Sequence, residues 1–168
     1  MVKLTQNDNP GENMKFTWID YIPEHAALAD SWLDETAVRE TGLDEGWAEY
    51  LGYWLEEPGA KYGENLWCRL ICRDTEPVAV IALGEENGEM VVSEIVVDPA
   101  VRGQGIGSAA LAELLANHER IIGKPIKSAM AVIFPDNTAS QKAFERADFR
   151  FDYAHPDGDA WYYRWYNR

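Results

Sequence analysis

Between residues 93 and 115 the chain reads SEIVVDPAVRGQGIGSAALAELL. A β-branched run ends at Val97, Pro99 interrupts it, and Arg102-Gly103-Gln104-Gly105-Ile106-Gly107 leads into a helix-forming stretch. Closely spaced glycines let the chain turn tightly without Cβ clashes, so several backbone N–H groups converge. They join the N-terminus of the next helix, whose free N–H groups and dipole favour an anion. The segment predicts a strand, a phosphate or pyrophosphate cradle and a helix, in that order. Two familiar phosphate loops do not fit. The Walker pattern needs a Lys after the last Gly, where this chain has Ser108. The Rossmann fingerprint needs a third Gly where Ser108 stands, and a βαβ setting rather than hairpins. The spacing that does fit is R/Q-x-x-G-x-G/A after a strand and a V-x-P element, met by Arg102, Gly105 and Gly107.

The rest of the chain supplies the setting. Residues 1–15 are polar with Pro and Gly and predict a flexible N-terminal arm. Phe16 to Ile22 is strand-like. Pro23 opens a helical pattern that Gly42 ends. A second helix from about Asp44 carries Trp47, Tyr50, Leu51, Trp54 and Leu55 on one stripe and closes at Pro58-Gly59. Three antiparallel strands follow (Asn65 to Arg73, Pro77 to Leu83, Glu89 to Val97), with turns at Asp74–Glu76 and Glu85–Gly88. Next come a helix from Gly105 to Ile122, a strand from Lys127 to Phe134 and a helix from Asn137 to Ala147. Strands near Phe149–Ala154 and Ala160–Tyr166 finish the chain. The length of 168 residues predicts one domain over residues 16–168, a mixed α/β fold.

A second motif completes the pattern. The strand KSAMAVIF is followed by Pro135-Asp136-Asn137, then by a short helix carrying Phe144, then by Ala147-Asp148-Phe149. With the glycine loop, this order resembles the GNAT superfamily of acyl-CoA-dependent N-acetyltransferases, over roughly Phe16 to Tyr166. The resemblance implies the GNAT fold: a central mixed, mostly antiparallel sheet of about six to seven strands, flanked by about four helices. It implies acetyl-CoA as cosubstrate; His25, His118 and His155 show no metal-ligand spacing, so no metal is expected. The implied cosubstrate-binding residues are Ile95, Val96 and Val97, then Arg102, Gly103, Gln104, Gly105, Ile106, Gly107 and Ser108, with Asn137 and Phe144. Two positions depart from the family pattern. Phe144 stands where a Tyr often protonates the departing thiolate, and Asp148 stands where Gly is usual. A thiol of pKa about 8.5 leaves tolerably as thiolate, and Tyr153, Tyr162 or solvent remain as proton sources. Asp tolerates the left-handed conformation better than most residues.

The resemblance implies direct attack of an amine on the thioester. The amine must shed a proton, so a base is needed. Glu94 is the first candidate: it lies on the strand entering the loop, among Val92, Ile95, Val96 and Val97, whose apolar character would raise its pKa. Asp20, Glu40 and Asp44 are weaker candidates. The thioester oxygen gains charge and needs a donor, which the family takes from backbone N–H near the strand end, here Val96 or Val97.

Charge narrows the acceptor. The net charge is −14, which argues against nucleic acid and for a cationic partner. Residues 1–64 carry 4 basic and 14 acidic side chains, whereas residues 99–150 carry 7 and 5. Acidic residues alternate with aromatics such as Trp32, Trp47, Tyr50, Tyr53 and Trp54, which suits a small cationic amine through ion pairing and cation–π contact. An aminoglycoside or a polyamine fits this description. A protein or peptide acceptor is the alternative enzyme reading, and a non-catalytic acyl-CoA sensor is the alternative of another class. Exposed aromatics would also serve a homodimer. No apolar run is long enough to span a membrane and Met1 to Asn13 lacks an apolar core, so a cytoplasmic protein is expected. Cys68 and Cys72, about 13 Å apart along a strand, are expected as buried thiols. His25, His118 and His155 are dispersed and read as packing or surface residues.

Overall fold

The computed structural model describes residues 14–56 and 65–168. The N-terminal arm and the Pro58-Gly59 helix stop lie outside the described residues, as do the side chains of Tyr53, Trp54 and Leu55. Seven strands form one sheet: β1 (Phe16–Asp20), β2 (Leu66–Arg73), β3 (Glu76–Glu86), β4 (Glu89–Val97), β5 (Ser128–Ile133), β6 (Arg150–Ala154) and β7 (Trp161–Tyr166). Their order across the sheet is β1-β2-β3-β4-β5-β7-β6. Only β4 and β5 run parallel; the other neighbours are antiparallel, as expected. The β2–β3 and β3–β4 hairpins turn through residues with positive φ, Asp74 and Thr75 in one and Asn87 and Gly88 in the other. Such turns match the twist of the strands they join.

Among the described residues six α-helices flank the sheet: α1 (Ala26–Ser31), α2 (Glu35–Thr41), α3 (Trp47–Glu56), α4 (Ile106–Ala116), α5 (His118–Ile122) and α6 (Thr138–Arg146). The sequence pattern predicts four, and two breaks account for the difference. The first falls at Trp32–Asp34, where Asp34 starts a new helix by accepting the Ala37 N–H at 2.9 Å. The second falls at Asn117, which leaves helical geometry at φ −131° and whose side-chain amide donates to the Glu113 carbonyl. Restarting there turns His118, Ile121 and Ile122 inward. Gly42 ends α2 in the left-handed conformation, as its position predicts.

Each sheet face has its own core. Under α1–α3 lie Ala29, Trp32, Ala37, Leu43 and Trp47 against Leu70, Cys72, Val80, Ala82 and Val96. Under α4–α6 lie Ile71, Ile81, Met90, Leu111, Leu114, Phe144, Phe149 and Tyr163 among others. Trp47 is fully buried, the core residue that its place on the helical stripe predicts. Cys72 is buried and Cys68 half-buried, and both thiols are free. Asp148 adopts φ 71°, the left-handed conformation required where Gly is usual. Edge strand β6 is exposed along its whole length, with Phe151 and Tyr153 on its surface.

Candidate active site

The sheet parts between β4 and β5. Their pairing runs from Glu89↔Ser128 to Val92↔Ala131 and stops, although β4 continues to Val97 and β5 to Ile133. The cause is a bulge. Against β3, Glu94 faces Ala82 and Val92 faces Leu83, so Ser93 is an extra residue on β4. A bulge bends its strand and ends regular pairing. Val96 still buries under α1–α3, while Ile95 and Val97 pack toward α4.

A cleft of about 310 Å3 opens below the parting. Ile95, Val96 and Val97 line it, with Arg102, Gly103, Gly105, Ile106, Gly107 and Ser108 from the loop and α4 and with Phe144 from α6. Gly103 and Gly105 both stand at φ 78°, and Gly105 is the residue from which α4 starts. Few L side chains adopt that conformation, so the loop's path depends on both glycines. A Cβ at Gly103 would meet nothing within 4 Å, so the requirement there is conformational, not steric. The Ser108 hydroxyl donates to the Gly105 carbonyl at 3.2 Å. Lys142 and Arg146 of α6 face the same cleft and add positive charge. Gln104 stands apart: it is exposed and accepts a hydrogen bond from Arg73 at 3.1 Å. Arg102 donates Nη1 to Asp34 Oδ2 at 2.6 Å, which bridges the loop to α2.

A narrower space of about 50 Å3 lies in the parting itself, walled by Glu94, Ser93, Ile95, Ala131, Val132, Ile133, Phe134 and Phe144. It shares Ile95, Ser140 and Phe144 with the larger cleft. Glu94 makes no hydrogen bond or ion pair among the described residues, and burial pushes its carboxyl from its ordinary 4.5 up to about 8. Glu40 reaches both spaces from α2, and burial raises its carboxyl as well. Asn137 lines the parting rather than the larger cleft. Its side chain caps α6 by accepting the Ser140 N–H at 3.1 Å. Phe144 is 4% exposed and meets Phe149 edge to face at 5.0 Å.

The other candidates are placed elsewhere. Asp20 is exposed and paired with Arg69 at 3.0 Å, and Asp44 is exposed. Tyr153 and Tyr162 stack on each other at 4.3 Å and line neither space. The carboxylates of Asp34, Glu35, Glu45 and Glu49 belong to exposed residues, so Glu40 alone of that acidic run enters the parting. Sequence reasoning missed a cavity of about 660 Å3 beneath α3, lined by Tyr21, Tyr50, Leu51, Cys68, Ala82 and Ser93 among others. It reaches Ser93, which also walls the parting. The hydroxyls of Tyr21 and Ser93 are buried without a partner among the described residues. Burial, then the nearby Cys68 and Asp30, pushes the Tyr21 phenol up to about 12. No sequence signal marks this cavity, because its walls come from β1, β2, β3, α3 and Ser93, which are distant in the chain.

The fold is thus mixed α/β, its sheet parted between β4 and β5, with a glycine loop and the N-terminus of α4 beside the parting. The chain belongs to the acetyltransferase (GNAT) family, whose model matches residues 25–149. It is similar to an L-2,4-diaminobutyric acid acetyltransferase of Streptomyces anulatus, 33% identical over 112 residues covering 56% of this chain. The match spans 59% of that relative's length. An aminoglycoside acetyltransferase solved with coenzyme A and kanamycin has the same fold, at TM-score 0.69 and 16% identity over 91% of this chain and 95% of that one. The ribosomal-protein-S18-alanine N-acetyltransferase of Escherichia coli also shares it, at TM-score 0.60 and 17% identity, covering 89% and 91%. Among the described residues no cluster of His, Cys, Asp or Glu could hold a metal, and no helix is long and apolar enough to cross a membrane.

Proposed function

We propose that the protein transfers the acetyl group of acetyl-CoA to a primary amine of a small cationic acceptor, by direct attack with both substrates bound. The observation that carries this reading is Glu94, an unpaired carboxyl raised to about 8 in the parting of the sheet beside the glycine-loop cleft. The residues of the cleft fit the cosubstrate. Gly103, Gly105 and the start of α4 offer backbone N–H groups to a pyrophosphate. The stretch of β4 that β5 leaves unpaired offers its backbone to an extended arm, as a sheet edge does to an added strand. Lys142 and Arg146 add charge that suits further phosphate.

The chemistry follows from these placements. An alkylamine with pKa of about 10.4 is protonated near neutrality. Glu94 takes its proton, and a base poised near 8 is well matched to that task. The backbone N–H of Val97 is the donor for the charge that develops on the acyl oxygen, since the register in which Asp98 N–H donates to the Val78 carbonyl turns the Val96 N–H toward β3. Phe144 fills the space under the leaving sulfur without a proton to give, so the thiolate departs as such. The second carboxyl, Glu40, gives the parting an anionic wall for a cationic acceptor.

Thiol release from acetyl-CoA is the test, with aminoglycosides, spermidine-like polyamines, diamino acids and Lys-containing peptides as acceptors. Saturable release with one cationic class is the expected result. Silence across the panel with intact acetyl-CoA binding would instead describe a sensor. Absence of acetyl-CoA binding would overturn the reading of the loop.

A further inference from the structure

The cation at the head of the glycine loop is already engaged. Arg102 donates Nη1 to Asp34 Oδ2 at 2.6 Å and points Nη2 toward the Trp32 carbonyl at 3.5 Å. Asp34 uses its other oxygen, Oδ1, to accept the Ala37 N–H that starts α2. One carboxylate thus caps a helix with one oxygen and holds the loop's cation with the other. Both side chains are partly open to solvent, at 33% and 41% exposure, so neither charge is locked away from a ligand. The Arg102 hydrogen bond, and then the Ala37 N–H, holds the Asp34 carboxyl below the usual range, so it is fully ionised near neutrality. Lys142 and Arg146, which line the same cleft, make no ion pair among the described residues.

We propose that Asp34 competes with the pyrophosphate of the cosubstrate for the Arg102 guanidinium, and so loosens the protein's hold on acetyl-CoA and on the CoA it leaves behind. The inference rests on the acetyl-CoA reading given above. An anion reaching Arg102 must displace the carboxylate or share the guanidinium with it. In the first case a charge-assisted hydrogen bond is lost, and in the second two negative charges face each other. Either way Asp34 subtracts from affinity. The pyrophosphate is common to acetyl-CoA and CoA, so a stronger grip there binds substrate and product alike. Such uniform binding lowers KM without speeding chemistry and delays departure of the product. Asp34 returns to Arg102 as CoA leaves, which gives the contact a place in turnover.

The chemistry of the cap makes the test clean. Asn caps helices as well as Asp, so Asp34→Asn keeps the cap of α2 while removing the charge and the oxygen that accepts from Arg102. Asp34→Ser, a third capping residue, serves if the Asn variant folds poorly. Titration calorimetry with CoA and stopped-flow displacement are run on wild type, Asp34→Asn, Arg102→Ala and the double variant. Asp34→Asn is expected to bind CoA roughly three- to fivefold more tightly, the range a part-exposed ion pair allows, with most of the gain in a slower off-rate. In the Arg102→Ala background the same change is expected to do less than about half as much. Unchanged or weaker binding by Asp34→Asn overturns the proposal. Equal tightening without Arg102 overturns it as well, since the effect would then be general repulsion. A wild type that does not bind CoA is a separate result, which removes the acetyl-CoA reading and this inference with it.

Discussion

At the scale of single residues the site turns on Glu94. Burial in the folded chain holds this carboxyl near pKa 8, against an ordinary 4.5. Its protonated form favours the folded state and its ionised form does not. Stability from this group is therefore full below about pH 4.5 and is lost as pH rises toward 8. Glu94→Gln should flatten that fall in urea unfolding measured from pH 5 to 8. The same change should remove the ascending limb of the pH–rate profile near pH 8 and lower kcat by about 100-fold, within the usual range for a general base. Full activity with an unchanged profile would place the base elsewhere, with Glu40 next in line. Phe144 makes the complementary point. Phe144→Tyr puts a hydroxyl beside the leaving sulfur, and because a thiolate leaves unaided the gain in kcat should stay under about tenfold. A hundredfold gain would mean that protonation limits the wild type. Glu94 was legible in the sequence because an acid among β-branched residues is an anomaly. Its isolation was not legible, since that follows from a bulge at Ser93 that no residue pattern announces.

At the scale of elements the glycine loop divides into positions that need glycine for different reasons. Gly105 stands at φ 78° at the start of α4, so Gly105→Ala forces an L residue into the left-handed region at about 1–2 kcal/mol. That variant should melt earlier and bind CoA more weakly in calorimetry. Gly107 lies within α4, and a Cβ there would meet Val97 Cγ2 at an ordinary 3.8 Å. Gly107→Ala should therefore fold and gain up to about 1 kcal/mol from helix propensity. Its melting temperature should rise or hold while that of Gly105→Ala falls, and a fall in both would refute the distinction. The strands and their turns were readable from alternation and from residues such as Asn87 and Gly88, whereas the place of β7 between β5 and β6 was not. The helix breaks were readable only in part. Asp34-Glu35-Thr36-Ala37 carries a proper N-cap, but the apolar spacing from Ala26 to Val38 runs through it and masks the signal. The break at Asn117 depends on burying His118, Ile121 and Ile122, which is a tertiary demand that overrides local periodicity.

At the scale of the whole molecule the question is what a net charge of −14 does. The sequence places most of the excess in residues 1–64, and the described carboxylates there, such as Asp20, Asp34, Glu35, Asp44, Glu45 and Glu49, are largely exposed. Among the described residues, Glu40 and Glu94 are the carboxyls that enter the parting, both raised above their ordinary range by burial. The two populations act over different ranges. Surface carboxylates repel one another and attract cations at a distance, and salt screens both effects because the Debye length falls to about 8 Å near physiological ionic strength. Carboxylates in the parting act at contact and are screened far less. Raising NaCl from about 0.05 to about 0.5 M should therefore raise the melting temperature by relieving self-repulsion. The same change should raise KM for a cationic acceptor, more steeply for a triamine than for a monoamine, because long-range attraction scales with acceptor charge. The value of kcat should stay nearly constant, because Glu94 works at contact with the bound amine. A KM that ignores salt for every amine would show that the acidic surface serves solubility alone and that capture of the acceptor rests on Glu40 and Glu94. A kcat that falls with salt while cosubstrate saturation is held would mean that the surface charge tunes the reacting amine itself, and the division of labour between surface and parting would fail.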